Sequence, residues 1–195
     1  MPGNLPRRSL LLGGAATGLV HGRPAAAAEL LHIGSPRGTI DFAVGDSWIV
    51  RTTGSFKQWQ GALRVDELDV AKSSVDVVVL TQSIQMSDED QTAMLKGAEF
   101  FDAENFPQMT FHSLAVESTG EESLRVIGIL TLRGIRRPTI LDVTVTHQQP
   151  GAPPGARYAR FRASGSVLRS EFGMTKFIDA TGDTVEISIR ADAWR

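Results

Sequence analysis

The chain has 195 residues, a net charge of −2 from 22 acidic and 20 basic side chains, and no cysteine. That balance provides no basic footprint for nucleic acid and no attraction to anionic lipid surfaces. The missing thiols exclude a disulfide framework, thiolate-held iron–sulfur clusters and covalently attached haem.

The first segment, "MPGNLPRRSLLLGGAATGLVHGRPAAAAE", reads as a leader rather than part of the fold. A basic pair, Arg7-Arg8, precedes a modest apolar run from Leu10 to Val20 and a small-residue tail, Ala26-Ala27-Ala28. This is the order of a secretory signal peptide with cleavage expected after Ala28. The adjacent arginines match a twin-arginine export signal, with Leu10 where Phe is more usual. The apolar run is too short to span a bilayer, which needs about 20 residues. Residues 1–28 are therefore expected to be removed on export to the periplasm or beyond. About 167 residues would remain as a single domain, its net charge near −5 once Arg7, Arg8 and Arg23 are gone.

Period-two alternation dominates the mature chain. "TIDFAV", "GALRVD" and "VDVVVL" are short runs rich in β-branched residues, separated by Gly45-Asp46, Gly54 and Gly61. "SDEDQTAMLKG" then breaks the pattern. Ser87 is placed as N-cap with Asp90 three residues on, Asp88 to Asp90 fill the first turn, and Lys96-Gly97 supply the stop. A helix of about ten residues is expected there, with Met94 and Leu95 as its small apolar face. It runs into "EFFDAENFPQMTF", which holds four of the nine phenylalanines. A core plug, a cofactor box and the wall of a ligand cavity would each explain such a concentration.

The remaining strands are "QMTFHSLAV", "SLRVIGILTL", "TILDVTVTH", "RYARFRASGSV" and "VEISIRADA". In the last, Val185, Ile187, Ile189, Ala191 and Ala193 share one face, opposite Glu186, Ser188, Arg190 and Asp192. The basic turn "LRGIRRP" (Arg133, Arg136, Arg137) reads as a solvated hairpin loop, the alternative being a docking spot for a lipid headgroup or a partner protein, and "QQPGAPPGA" reads as a loop. Strands spaced this way predict an all-β, antiparallel sandwich or barrel. The inserted helix, placed to lie across one end, favours the barrel.

Catalytic signals are sparse. Of the four histidines, His21 leaves with the leader, and His32, His112 and His147 have no second ligand at metal-binding spacing. No serine sits in a G-x-S-x-G elbow, and no glycine-rich loop is built for phosphate. No catalytic residue and no metal ligand is assigned, and no cofactor is required.

Five segments in register resemble the YceI-like family: "GSFKQWQGALRVDE", "FFDAENFPQMTFHS", "IGILTLRGIRRPTILDV", "LRSEFGM" and "GDTVEISI". Together they cover the chain from about Ile33 to Ala193. The resemblance implies a lipocalin-like, antiparallel eight-stranded barrel with a short inserted helix and an apolar tunnel. The cargo it implies is a polyprenyl or quinone-type isoprenoid or a similar amphiphile, held for transport, storage or stress response. Two departures stand out: "GDSWIVRTTG" carries Trp48 and no histidine, and the helix carries Gln91 to Leu95 where relatives often have Arg-Asp-x-His-Leu. Met94, Phe100, Phe101, Phe106, Phe111, Phe161, Phe172 and Met174 are the residues expected to form the tunnel wall or its lid. An amphiphilic lipid is then the expected partner, without stable membrane insertion and without nucleic acid. An enzyme acting on a small lipid-like substrate and an exported partner-binding domain with a filled core are the competing readings.

Overall fold

A computed structural model describes residues 28–47, 50–146 and 148–195. Residues 1–27, which hold all but the last residue of the expected leader, and Trp48, Ile49 and His147 lie outside them. The strands are β1 (Glu29–Gly34), β2 (Gly38–Ser47), β3 (Val50–Phe56), β4 (Trp59–Val65), β5 (Ser74–Leu80), β6 (Ile84–Met86), β7 (Gln108–Gly120), β8 (Ser123–Leu132), β9 (Ile135–Thr146), β10 (Arg157–Leu168) and β11 (Thr184–Trp194). Two short helices interrupt them, α1 (Glu89–Lys96) and α2 (Ile178–Thr181).

These eleven segments make eight strands of a closed antiparallel barrel, because three strands are creased. β1 runs on into β2, β3 into β4, and β5 into β6. The creases lie side by side and are hydrogen-bonded to one another. Ser35 N donates to Trp59 O (3.0 Å), Leu80 N to Gln58 O (3.0 Å) and Lys57 N to Ser83 O (3.1 Å). β7 to β11 come next in order around the sheet, and β11 closes the ring against β2 and, at His32–Trp194, against β1. Closure removes the exposed strand edges that an open sheet would carry.

The alternation seen in the sequence maps onto inside and outside. In β11, Glu186, Ser188 and Arg190 face solvent, while Ala191 and Ala193 are buried. Val185, Ile187 and Ile189, on the same inward face, keep partial accessibility and line an internal cavity. Inward strand residues that are not sealed off mean that the middle of this barrel is hollow. Packed clusters close its ends, Leu31, Trp59, Tyr158 and Ala193 at one and Leu132, Phe172 and Met174 near the other, while Phe111, Val116, Val126 and Leu141 pack along the wall between them.

α1 differs in detail from the sequence expectation. Asp88 rather than Ser87 is the N-cap, its Oδ1 accepting from Gln91 N at 2.8 Å. Both residue types can cap, and the winner is the one whose extended backbone aims its side chain at the N3 amide. The helix spans eight residues and stops at Gly97, whose N–H donates to Met94 O. The chain then coils tightly, Phe101 N and Ala103 N returning to Leu95 O and Lys96 O. "LRGIRRP" forms a two-residue hairpin turn, Arg133 and Gly134 both having positive φ (51° and 72°) between the paired Leu132 and Ile135.

Candidate functional site: a two-chamber tunnel

The hollow interior consists of two chambers. The upper one, of about 310 Å³, lies beneath α1 and is walled by β2, β3, β5 to β11 and the loop after α1. The lower one, of about 720 Å³, runs toward Tyr158 and the β7–β8 turn. Ile40, Val77, Phe111, Leu141 and Ile189, from five different strands, belong to both walls and form the waist between them. Seven of the nine phenylalanines touch one chamber or the other. A lining of this kind offers dispersion and the hydrophobic effect along its length, with few polar groups to orient a guest.

The sequence-predicted wall residues divide between the two chambers and the packing behind them. Met94, on the outer part of α1, and Phe100, Phe101, Phe111 and Met174 line the upper chamber. Phe101 packs edge-on against Phe56, ring centroids 5.4 Å apart. Phe161 lines the lower chamber. Phe106 and Phe172 line neither. Phe172 is fully buried behind the wall, against Leu132 and Met174. Phe106 lies against the β8–β9 turn beside Gly134, and its carbonyl accepts from the Thr81 hydroxyl at 2.6 Å. The cluster in "EFFDAENFPQMTF" thus splits: Phe106 pins the loop to a turn, and the other three rings face the cavity.

Phe42, Phe56 and Phe177 complete the upper wall. Phe177 sits at the mouth with φ of 60°, half-exposed, its ring 6.4 Å from that of Phe100. Lys176 stands over the Phe177 ring and pairs with Glu99, which ties the α2 loop to the loop after α1.

The "LRSEFGM" motif has a physical explanation here. Arg169 is 5% exposed and reaches across the loop C-terminal to it. Its Nε donates to Gly182 O (2.9 Å), one Nη to Lys176 O (2.7 Å) and the other to Thr181 Oγ1 (2.9 Å). Ser170 gives its backbone N–H and its hydroxyl to the two Asp183 carboxylate oxygens, at 2.8 and 2.6 Å. Those bonds, led by the hydroxyl, hold the Asp183 carboxyl below its ordinary range. Phe172 fills the core, Gly173 takes the left-handed conformation at φ 76°, and Met174 returns to the cavity wall. Burial pushes the Arg169 guanidinium below its ordinary value, partly offset by the Asp183 charge. Arg169 itself contributes to the upper wall.

Polar groups in the lower chamber are of another kind. Tyr158 occupies a β-bulge in β10, which turns its ring inward beside Ala159. Its hydroxyl donates to Glu67, and burial, together with that carboxylate, raises its pKa to about 12. Trp59 is 4% exposed and its indole N–H finds no acceptor among the described residues. Asp66, Glu67, Glu121 and Glu122 line this end, accompanied by Arg64. Among the described residues, no three carboxylate or imidazole side chains converge as metal ligands would, and no helix is long and apolar enough to cross a membrane.

This geometry has known counterparts. The family model described as a YceI-like domain matches residues 32–193. Protein YceI of Salmonella arizonae is 31% identical over 149 residues, covering 76% of this chain and 75% of that one. Among solved structures, BcnA of Burkholderia cenocepacia superposes with a TM-score of 0.68 at 26% identity, over 79% of this chain and 94% of BcnA. A polyisoprenoid-binding domain from Saccharophagus degradans superposes with a TM-score of 0.60 at 13% identity, over 85% and 99% of the two chains. With the domain model matching from β1 to β11 and a relative of that identity over three quarters of both chains, the chain belongs to the YceI-like family.

Proposed function

We propose that this protein binds one long isoprenoid, or a similar long-chain amphiphile, along its tunnel and carries or stores it in an exported compartment. The observation that carries the reading is the pair of largely apolar chambers meeting at a waist inside the closed barrel. Burial of each methylene contributes about 0.8 kcal/mol, so about ten supply a nominal 8 kcal/mol, a micromolar affinity before ordering costs. Binding of this kind needs no catalytic residue. The polyisoprenoid-binding domain of Saccharophagus degradans, which shares the fold, supports the choice of cargo. The leader read in residues 1–28 supports the periplasm as its place of work.

Native mass spectrometry of the protein isolated gently from its own cell envelope tests the reading. An adduct that extracts into organic solvent, with the mass of a long-chain lipid, is the expected result. A clean unliganded mass, combined with no uptake of polyprenols, quinones or fatty acids by the purified protein, overturns it.

A further inference from the structure

The two ends of the tunnel differ in charge. We infer that the lipid is held in one direction only, with an anionic head group, phosphate or carboxylate, at Arg169 and the tail running through the waist into the lower chamber. This rests on the lipid-binding reading above and adds to it the class and the orientation of the guest.

Arg169 is a buried cation with no direct ion pair, the Asp183 charge reaching it only through space. Its three hydrogen bonds go to two carbonyls and a hydroxyl, and no carboxylate lies within ion-pairing distance of it among the described residues. A guanidinium has five N–H donors, so two are unspent. Asp183, the nearby acid, points both oxygens at Ser170 and makes no direct contact with the guanidinium. Asp41 also contributes to the upper wall, but its carboxylate accepts from Arg190 and the Thr39 hydroxyl on the outer face of the barrel. Lys176 at the mouth is already paired with Glu99. Arg169 is therefore the charged group on the upper chamber's wall that has no direct ion pair, and Asp183 is not part of that wall, so an anion in this largely apolar room would meet the guanidinium first.

The lower chamber reverses the sign. Four carboxylates and one guanidinium line its end, and Tyr158 is already engaged by Glu67. An anionic head placed there would meet like charge in a confined space, whereas an apolar tail meets Val116, Val126, Leu124 and Phe161. Affinity for an oxyanion at one end and repulsion at the other set the direction together.

The test is a titration of the delipidated protein with three ligands sharing one farnesyl chain: the monophosphate, the alcohol and a trimethylammonium derivative. The phosphate should bind about tenfold tighter than the alcohol, as expected for one or two charge-assisted hydrogen bonds, and the cation weakest. R169Q should abolish the difference in affinity between the phosphate and the alcohol. If phosphate and alcohol bind the wild type equally, the head-group assignment falls and the lipid-binding reading survives. If none of the three binds, both fall. A second readout uses only the wild-type protein. A nitroxide at the tail end of the bound phosphate should broaden the amide signals of Tyr158 and Val145 and spare those of Met94 and Phe177. The opposite pattern overturns the orientation.

Discussion

The ring of Phe111 lies directly over Gly128 on the neighbouring strand, so close that a Cβ at Gly128 would stand 2.4 Å from Phe111 Cζ and 2.6 Å from His112 O. Glycine there is a packing requirement at the waist, since Phe111 belongs to both chambers. Gly128→Ala must displace the ring toward the tunnel axis or spread β7 from β8. We expect a loss of about 1–3 kcal/mol in denaturant titrations, the range for overpacking. Ligand series of graded chain length should show a shift toward shorter chains. Unchanged chain preference in a variant destabilised by that amount would remove Phe111 from the waist.

Tyr158 is the sole tyrosine in the chain, so its titration can be followed without assignment. Its phenolate absorbance should appear with a midpoint near pH 12 in the folded protein, against 10.0 for a free tyrosine. Because the folded state holds this proton more tightly, the contribution to stability is complete below pH 10.0 and is lost as pH rises toward about 12. Tyr158→Phe should flatten that part of the alkaline stability curve. A midpoint near 10 would mean that the hydroxyl is neither buried nor facing Glu67.

At the acid end the sign reverses. Asp183 is held below its ordinary 3.8 chiefly by the Ser170 hydroxyl, and Asp192 below 3.8 chiefly by its hydrogen bond from Arg160. Their contributions are present above pH 3.8 and fade as pH falls through the lowered values. Asp183→Asn should reduce the acid-dependent loss of stability. In the wild type at low pH, hydrogen exchange should accelerate first in residues 169–183.

Asp88→Ala removes the side-chain cap of α1 at a cost of about 1 kcal/mol. Gln91, Met94 and Leu95 project from that helix into the upper chamber. The expected outcome is faster amide exchange in α1 with unchanged protection in β11, and faster release of bound lipid. Release at the wild-type rate despite a frayed helix would show that α1 does not gate the tunnel.

The sequence disclosed the barrel wherever strand residues alternate without interruption. Val185 to Ala193 and Leu124 to Leu132 lie on the faces that their pattern predicts. It concealed the creases, because Lys57-Gln58 carries neither glycine nor proline and its bend is dictated by bonds to Ser83 and Leu80 across the sheet. Alternation sends Ala159 and Phe161 inward, but one bulge residue puts Tyr158 inside as well, contrary to its parity. Phenylalanine content pointed to the cavity without separating Phe101, which faces it, from Phe172, which is sealed behind it. Arg169 was readable only as one residue of a motif. A buried guanidinium is recognised by the acceptors folded around it, and Lys176, Thr181 and Gly182 are loop residues with no marked pattern.

The line of creases has a consequence for how the protein can change. β1 and β4 contribute only to the lower chamber, and β3 and β6 only to the upper. At Lys57-Gln58 the two compartments are therefore encoded by separate short stretches of chain, β3 above and β4 below, whereas β2 and β5 reach both through Ile40 and Val77. Substitutions in β3 can reshape the upper chamber while the lower one keeps its dimensions, and the converse holds for β4. The two rooms are in this sense independently evolvable along that strand, and a designer could reshape either one across this single joint.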